Sequence, residues 1–112
     1  MTATTGLNHI DIKYAEEKDI KTLSLRGEYE FLKNISATAE HTMGLLLSLL
    51  RNIPSASQSV KTGKWDRNLY KGREIEGKTF GILGYGRIGI KVAKYAKAFG
   101  AKIIVYDIKK IA

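Results

Sequence analysis

Four residues have types and spacing suited to gripping a phosphorylated nucleotide: Gly84, Gly86 and Gly89, and eighteen positions further on Asp107. The stretch that holds them reads TFGILGYGRIGIKVAKYAKAFGAKIIVYD from Thr79 to Asp107. Each glycine has a separate physical task. Gly84 permits a tight turn out of a strand, Gly86 leaves room for a pyrophosphate against the backbone, and Gly89 lets the following helix pack close to the sheet. The first turn of that helix would aim unpaired N–H groups and a positive dipole end at the phosphates. An acid at the position of Asp107 is spaced to accept a hydrogen bond from a ribose hydroxyl. A carboxylate there repels a ribose 2′-phosphate, so NAD is expected in preference to NADP, with Lys109 and Lys110 close enough to soften that preference.

The elements that must position these groups are legible on either side. Phe80–Leu83 is an apolar run suited to a strand, and Ile88, Val92, Tyr95, Ala96 and Phe99 recur at helical spacing, with Lys91, Lys94 and Lys97 off that stripe. Gly100 is a stop signal, and Lys102–Tyr106 reads as a buried parallel strand. Strand, glycine turn, helix, strand and acid in that order describe a dinucleotide-binding unit, and the context makes the motif far more specific than three glycines alone.

Upstream, Asp11–Lys18 is a short helical candidate, Thr22–Leu25 a short strand candidate, and Arg26–Asn34 a charged, irregular linker. From Ser36 onward Ala39, Met43, Leu46, Leu50 and Ile53 form one stripe that Leu45, Leu47 and Leu49 widen. Such a helix is expected to be buried on more than one side, with Asn34 or Ser36 as its cap. Pro54 suits the first turn of a second helix carrying Ile53, Ala56 and Val60 and closed by Gly63. Lys64–Gly77 reads as a loop anchored by Trp65 and Tyr70.

Composition narrows the function classes. The 112 residues are 44% hydrophobic and 27% charged, which is a globular balance within one domain's length. There is no cysteine, so disulfides and thiolate metal sites are excluded; no cluster of ligands suggests a metal, and a reducing compartment is consistent. The opening MTATTGLNHID has neither the basic nor the apolar part of a signal peptide, and Met43–Leu50 is too short to cross a bilayer. A cytoplasmic location is therefore expected. The net charge of +8 falls mostly on residues 77–112, with eight Lys/Arg against one acid. Lys91, Lys94 and Lys97 lie on the outer face of one helix and are not interleaved with exposed aromatics, so a solvated surface is favoured over a nucleic-acid site, which would show steep salt dependence.

Five phrases in order carry a resemblance: TTGLNHIDIKYA, SATAEHTMGLLLSLLRNI, SVKTGKWDR, EIEGKTFGILGYGRIG and VYD. Together they resemble the D-isomer-specific 2-hydroxyacid dehydrogenases, a family whose single chain builds a substrate domain and an NAD domain and crosses between them twice. The resemblance covers nearly the whole chain. It implies an α/β fold, an incomplete Rossmann-type NAD-binding unit preceded by a long crossover helix, with residues 1–34 a remnant of the substrate domain and linker and residues 35–112 the start of the NAD-binding domain. Residues 53–67 resemble a segment that packs against a partner subunit, which implies a homodimer formed through the crossover helix and the segment after it. Residue by residue, the resemblance assigns Gly84, Gly86 and Gly89 to the phosphate turn, Arg87 and Ile88 to the pyrophosphate, Asp107 to the adenosine ribose and Thr38 to the nicotinamide end. Asn8-His9 stands where the family often has Asp-Asn, and Arg26–Lys33 is longer and more charged than the common form, which leaves the substrate open.

Hydride transfer on the CH–OH group of a D-2-hydroxy acid needs a cation for the carboxylate, a histidine to move the hydroxyl proton and an acid to hold that histidine. In the family this set follows the ribose acid, and no residue of this chain matches it. His9 and His41 read as surface or packing residues; Glu40 and His41 are adjacent on a helix and point apart. The expectation is an NAD-binding fragment of an oxidoreductase, inactive by itself, whose complete form acts on a small 2-hydroxy or 2-keto acid. The alternative is a non-catalytic dimerising or regulatory fragment.

Overall fold

A computed structural model describes residues 1–111, which divide into two compact units, Met1–Ile35 and the part from Ser36 onward. In the first unit α1 spans Ile12–Glu17, started by Asp11, whose carboxylate accepts the Tyr14 N–H at 3.0 Å. Thr22–Leu25 is extended but belongs to no strand ladder. It is tied to the N-terminal segment by the bonds Thr2 N–H to Leu23 O and Leu25 N–H to Thr4 O, at 2.8 and 3.1 Å. The expected irregular linker instead contains a short helix, α2 (Tyr29–Lys33), whose Leu32 is buried. One buried leucine at a helical position is enough to order a turn that its charged neighbours disguise.

The second unit begins with α3 (Ala37–Leu50) and α4 (Ile53–Lys61), separated by Asn52 in the left-handed conformation at φ 53°. The Asn52 side-chain amide donates to the Lys71 carbonyl at 3.3 Å, fixing that corner to the following loop. Pro54 lies in the first turn of α4, where its missing N–H has no partner to lose. The chain then forms β1 (Thr79–Leu83), α5 (Arg87–Ala98) and β2 (Lys102–Tyr106). The two strands are parallel, in register from Thr79 opposite Lys102 to Leu83 opposite Tyr106.

The core lies where α5 meets the sheet on one side and α3 on the other. Ala39 and Met43 of α3, Val92, Ala93 and Ala96 of α5, Ile82 of β1, Ile75 and Ala101 are all buried. Removing such aliphatic groups from water contributes roughly 1–3 kcal/mol apiece for the larger ones. Small residues at 93 and 96 let α5 approach its neighbours closely.

Two expectations about burial change. The α3 helix is covered on one side only, and Leu45 and Leu49 are exposed. Strand β2 alternates instead of being buried throughout: Ile103 and Val105 turn toward the core, while Ile104 and Tyr106 are open. An apolar run cannot distinguish a strand covered on both faces from one covered on a single face. Trp65 is 80% exposed and anchors nothing, whereas Tyr70 is half-buried and Ile75 supplies the loop's buried residue.

Candidate functional site

The site forms where the C-terminal ends of the two parallel strands meet the start of α5. Gly84 follows β1 with φ +95°, a conformation open to glycine and strained for other residues. Its N–H still donates to the Tyr106 carbonyl at 2.8 Å, so the ladder runs right up to the turn. Gly86 is the N-cap of α5 in an extended conformation, and Arg87, Ile88 and Gly89 are the helix's first three residues. A Cβ on Gly89 would collide with the carbonyl oxygen of Gly84 and crowd the Ile82 side chain, so this glycine sets how closely α5 approaches β1. A Cβ on Gly86 would meet nothing within 4 Å: the space above it is open.

Asp107 follows β2 and closes the site. Its Oδ2 accepts the Tyr85 N–H at 2.6 Å and its Oδ1 accepts the Lys109 N–H at 2.8 Å. The Lys109 amide first, and the Tyr85 amide second, hold the Asp107 carboxyl below its usual pKa, outweighing the opposing effect of its partial burial; the Lys109 ammonium adds to the lowering. The acid is thus ionised at neutral pH and clamped in orientation by the backbone on both sides. Each carboxylate oxygen has a lone pair left to accept a ligand hydroxyl.

Tyr85, Gly86, Ile90, Asp107, Lys109, Lys110 and Ile111 line an open cleft of about 350 Å³. No acidic residue occupies the first turn of α5 and no side chain caps it, while Arg87 begins it. The positive end of the helix dipole at this first turn favours negative charge. Open space over Gly86, a helix start without a side-chain cap and a carboxylate held in place by two backbone amides in one cleft fit a dinucleotide.

Thr38 lies apart from the cleft lining, in the first turn of α3, where its carbonyl accepts the Thr42 hydroxyl at 2.8 Å. Two residues before it, Ser36 starts α3 without making a side-chain cap. Its hydroxyl instead accepts the Lys91 ammonium at 2.9 Å, a half-buried bond that ties α5 to the start of α3. His9 and His41 are exposed, and the His9 ring bonds the Thr2 hydroxyl at 3.1 Å. Among the described residues there is no group of three or more potential metal ligands. Sequence reasoning passes over Tyr85 and Ile90 as cleft walls. Their signal is positional: Tyr85 stands between two turn glycines, and Ile90 lies one helical turn beyond Gly86.

Residues 43–112 match the family model described as D-isomer specific 2-hydroxyacid dehydrogenase, NAD binding domain. The chain belongs to this family. NAD is the cofactor of the domain it matches, and the Rossmann-type α/β architecture is that of the family. Over 105 residues, 94% of its length, the chain is 47% identical to a hydroxypyruvate reductase of Thermotoga maritima and 47% identical to a D-3-phosphoglycerate dehydrogenase of Methanocaldococcus jannaschii. It spans 33% and 19% of those relatives' own lengths. A solved D-lactate dehydrogenase from Aquifex aeolicus, complexed with NAD and lactic acid, superposes with a TM-score of 0.74 at 31% identity, covering 96% of this chain and 31% of that one. Among the described residues no helix is long and apolar enough to cross a membrane.

Proposed function

We propose that residues 36–111 form the pyrophosphate- and ribose-binding half of the NAD site of an oxidoreductase acting on D-2-hydroxy acids. The observation that carries the reading is the Asp107–Tyr85 hydrogen bond, which brings the acid and the glycine turn into one cleft. In this reading the Gly84, Gly86 and Gly89 turn cradles the pyrophosphate with Arg87 and Ile88 against it, Asp107 accepts an adenosine ribose hydroxyl, and Thr38 approaches the nicotinamide end. NAD supplies the hydride acceptor, and these residues bind and orient it. Residues 1–34 are a portion of the substrate domain and its linker. The complete cytoplasmic enzyme takes a small 2-hydroxy or 2-keto acid. These 112 residues, lacking a match to the family's Arg, Glu/Asp and His set, bind NAD weakly and turn nothing over.

The test is an amide-resolved NMR titration of the full 112-residue chain with NAD. Shifts confined to Tyr85–Gly89 and Asp107–Lys109, and weakened by Asp107→Ala, are expected. Shifts elsewhere, or none at millimolar NAD, would overturn the assignment. Oxidation of any 2-hydroxy acid by the pure chain would overturn the claim that it is inactive.

A homodimer through α3 and α4 is part of the same reading, supported by the exposure of Leu45, Leu49, Val60 and Trp65. Those side chains also favour a second reading, a non-catalytic dimerising or regulatory fragment, since apolar groups left open along adjacent segments mark association surfaces. Sedimentation tests this surface: a stable monomer at high concentration counts against association in either reading.

A further inference from the structure

The cleft carries more positive charge on its ribose side than a site reserved for NAD requires. Beyond Asp107 the wall is made by Lys109 and Lys110, so two ammonium groups accompany one carboxylate. Among the described residues the only ion pair within 4 Å is Lys33 with Glu30, so neither cleft lysine is held against Asp107. The carboxylate, meanwhile, is turned onto backbone donors: one oxygen faces the Tyr85 amide and the other the Lys109 amide. A phosphate on the ribose 2′ position would enter a rim of net positive charge. It would meet two cations that can move toward it on flexible stems, beside an acid already engaged by N–H groups.

We propose that this cleft accepts NADP as well as NAD, with Lys109 and Lys110 receiving the ribose 2′-phosphate. The proposal rests on the assignment of the ribose to Asp107. An unscreened carboxylate facing that phosphate would disfavour NADP on the order of a hundredfold or more; the lysine pair brings the two cofactors to within about tenfold of each other. The contact is to a dianion on an exposed rim, so NADP binding falls faster with salt than NAD binding.

The test compares NAD and NADP titrations of the full chain, followed at the amides of Tyr85–Gly89 and Asp107–Lys109, for the parent and for the double variant K109A/K110A. Both side chains are exposed, and the Lys109 amide that clamps Asp107 is backbone, so the clamp survives substitution. The expected result is affinities within about tenfold in the parent and an NADP-to-NAD ratio reduced at least about tenfold in the variant, with K109R/K110R restoring it. Parent discrimination of about a hundredfold against NADP overturns the proposal while leaving the NAD site intact, as does an unchanged ratio in the variant. Failure of both cofactors to shift these amides overturns the NAD site and this inference with it.

Discussion

Two hollows in the second unit differ in what builds them. One is the cleft between the glycine turn and Asp107; the other, about 230 Å³, is lined by residues of α4 and the following loop, including Val60, Trp65, Arg67 and Tyr70. The first is made largely of backbone: a glycine at φ +95°, a helix start with no side-chain cap, and a carboxylate held by two amides at 2.6 and 2.8 Å. The second is made of side chains on a helix with no buried residue, and its tryptophan is mostly in solvent. A hollow cut into the backbone is set by the fold before a ligand arrives and can be selective for charge and shape. A hollow between exposed side chains is apolar surface awaiting a cover, and its shape depends on what covers it. The difference separates the proposed binding site from the proposed association surface within one small unit.

Substitutions can break that distinction. The largest effect is expected for Gly89→Ala: the added methyl collides with the Gly84 carbonyl, a backbone group, and crowds the Ile82 side chain, which is buried in the core. A loss of about 1–3 kcal/mol, read by thermal or denaturant unfolding, is expected together with loss of cofactor binding. Gly86→Ala sharpens the comparison, because its methyl enters open space and its backbone angles suit alanine. Stability should stay within about 1 kcal/mol of the parent while NAD affinity falls at least about tenfold, as measured by the amide titration. Equal damage to folding and binding would mean that Gly86 is structural.

A pH series tests the clamp on Asp107. Because the folded-state pKa is depressed, its contribution to stability is fully present above the ordinary aspartate value near 3.9 and is lost as pH falls through the folded-state pKa. The stability difference between the parent and Asp107→Asn should therefore be constant from about pH 8 to pH 5 and shrink only in more acidic solution. A difference that changes across neutral pH would contradict the clamp. The smallest effect on the unit's own stability is expected at Trp65→Ala, within about 0.5 kcal/mol, because that side chain is exposed. The same variant should weaken self-association in sedimentation. A large loss of stability in the monomer would make Trp65 a core residue after all.

Much of the turn is legible in the sequence, because its signals are local. Glycine spacing, the stripe of α5 and the position of Asp107 all follow from the backbone rules of one strand and one helix. The contacts that join distant residues are not legible there. Lys91 lies off the apolar stripe and looks like a solvent-facing lysine, yet it reaches Ser36 across 55 positions. Trp65 looks like an anchor by its type, but type does not say whether a neighbour covers it. The α2 helix is hidden because its apolar contribution is essentially Leu32, set among charged residues. The exposed half of β2 escapes notice because composition reports that a strand is apolar and says nothing of how many layers it separates. The same limit applies to α3, whose Leu45 and Leu49 look like core residues and stand open to solvent.

The register of the parallel pair has a kinetic consequence. Every partner across β1 and β2 is separated by the same 23 positions, all spanned by the single crossover through α5. Closing a loop of that length costs about 3 kcal/mol in chain entropy, plus a constant, and one closure suffices to align all five pairs. A parallel sheet usually folds slowly because its contacts are far apart along the chain. Here the demand of this strand pair on chain topology is met by the helix that follows the glycine turn, so Asp107 and the glycine loop are brought together in the same event that pairs the strands.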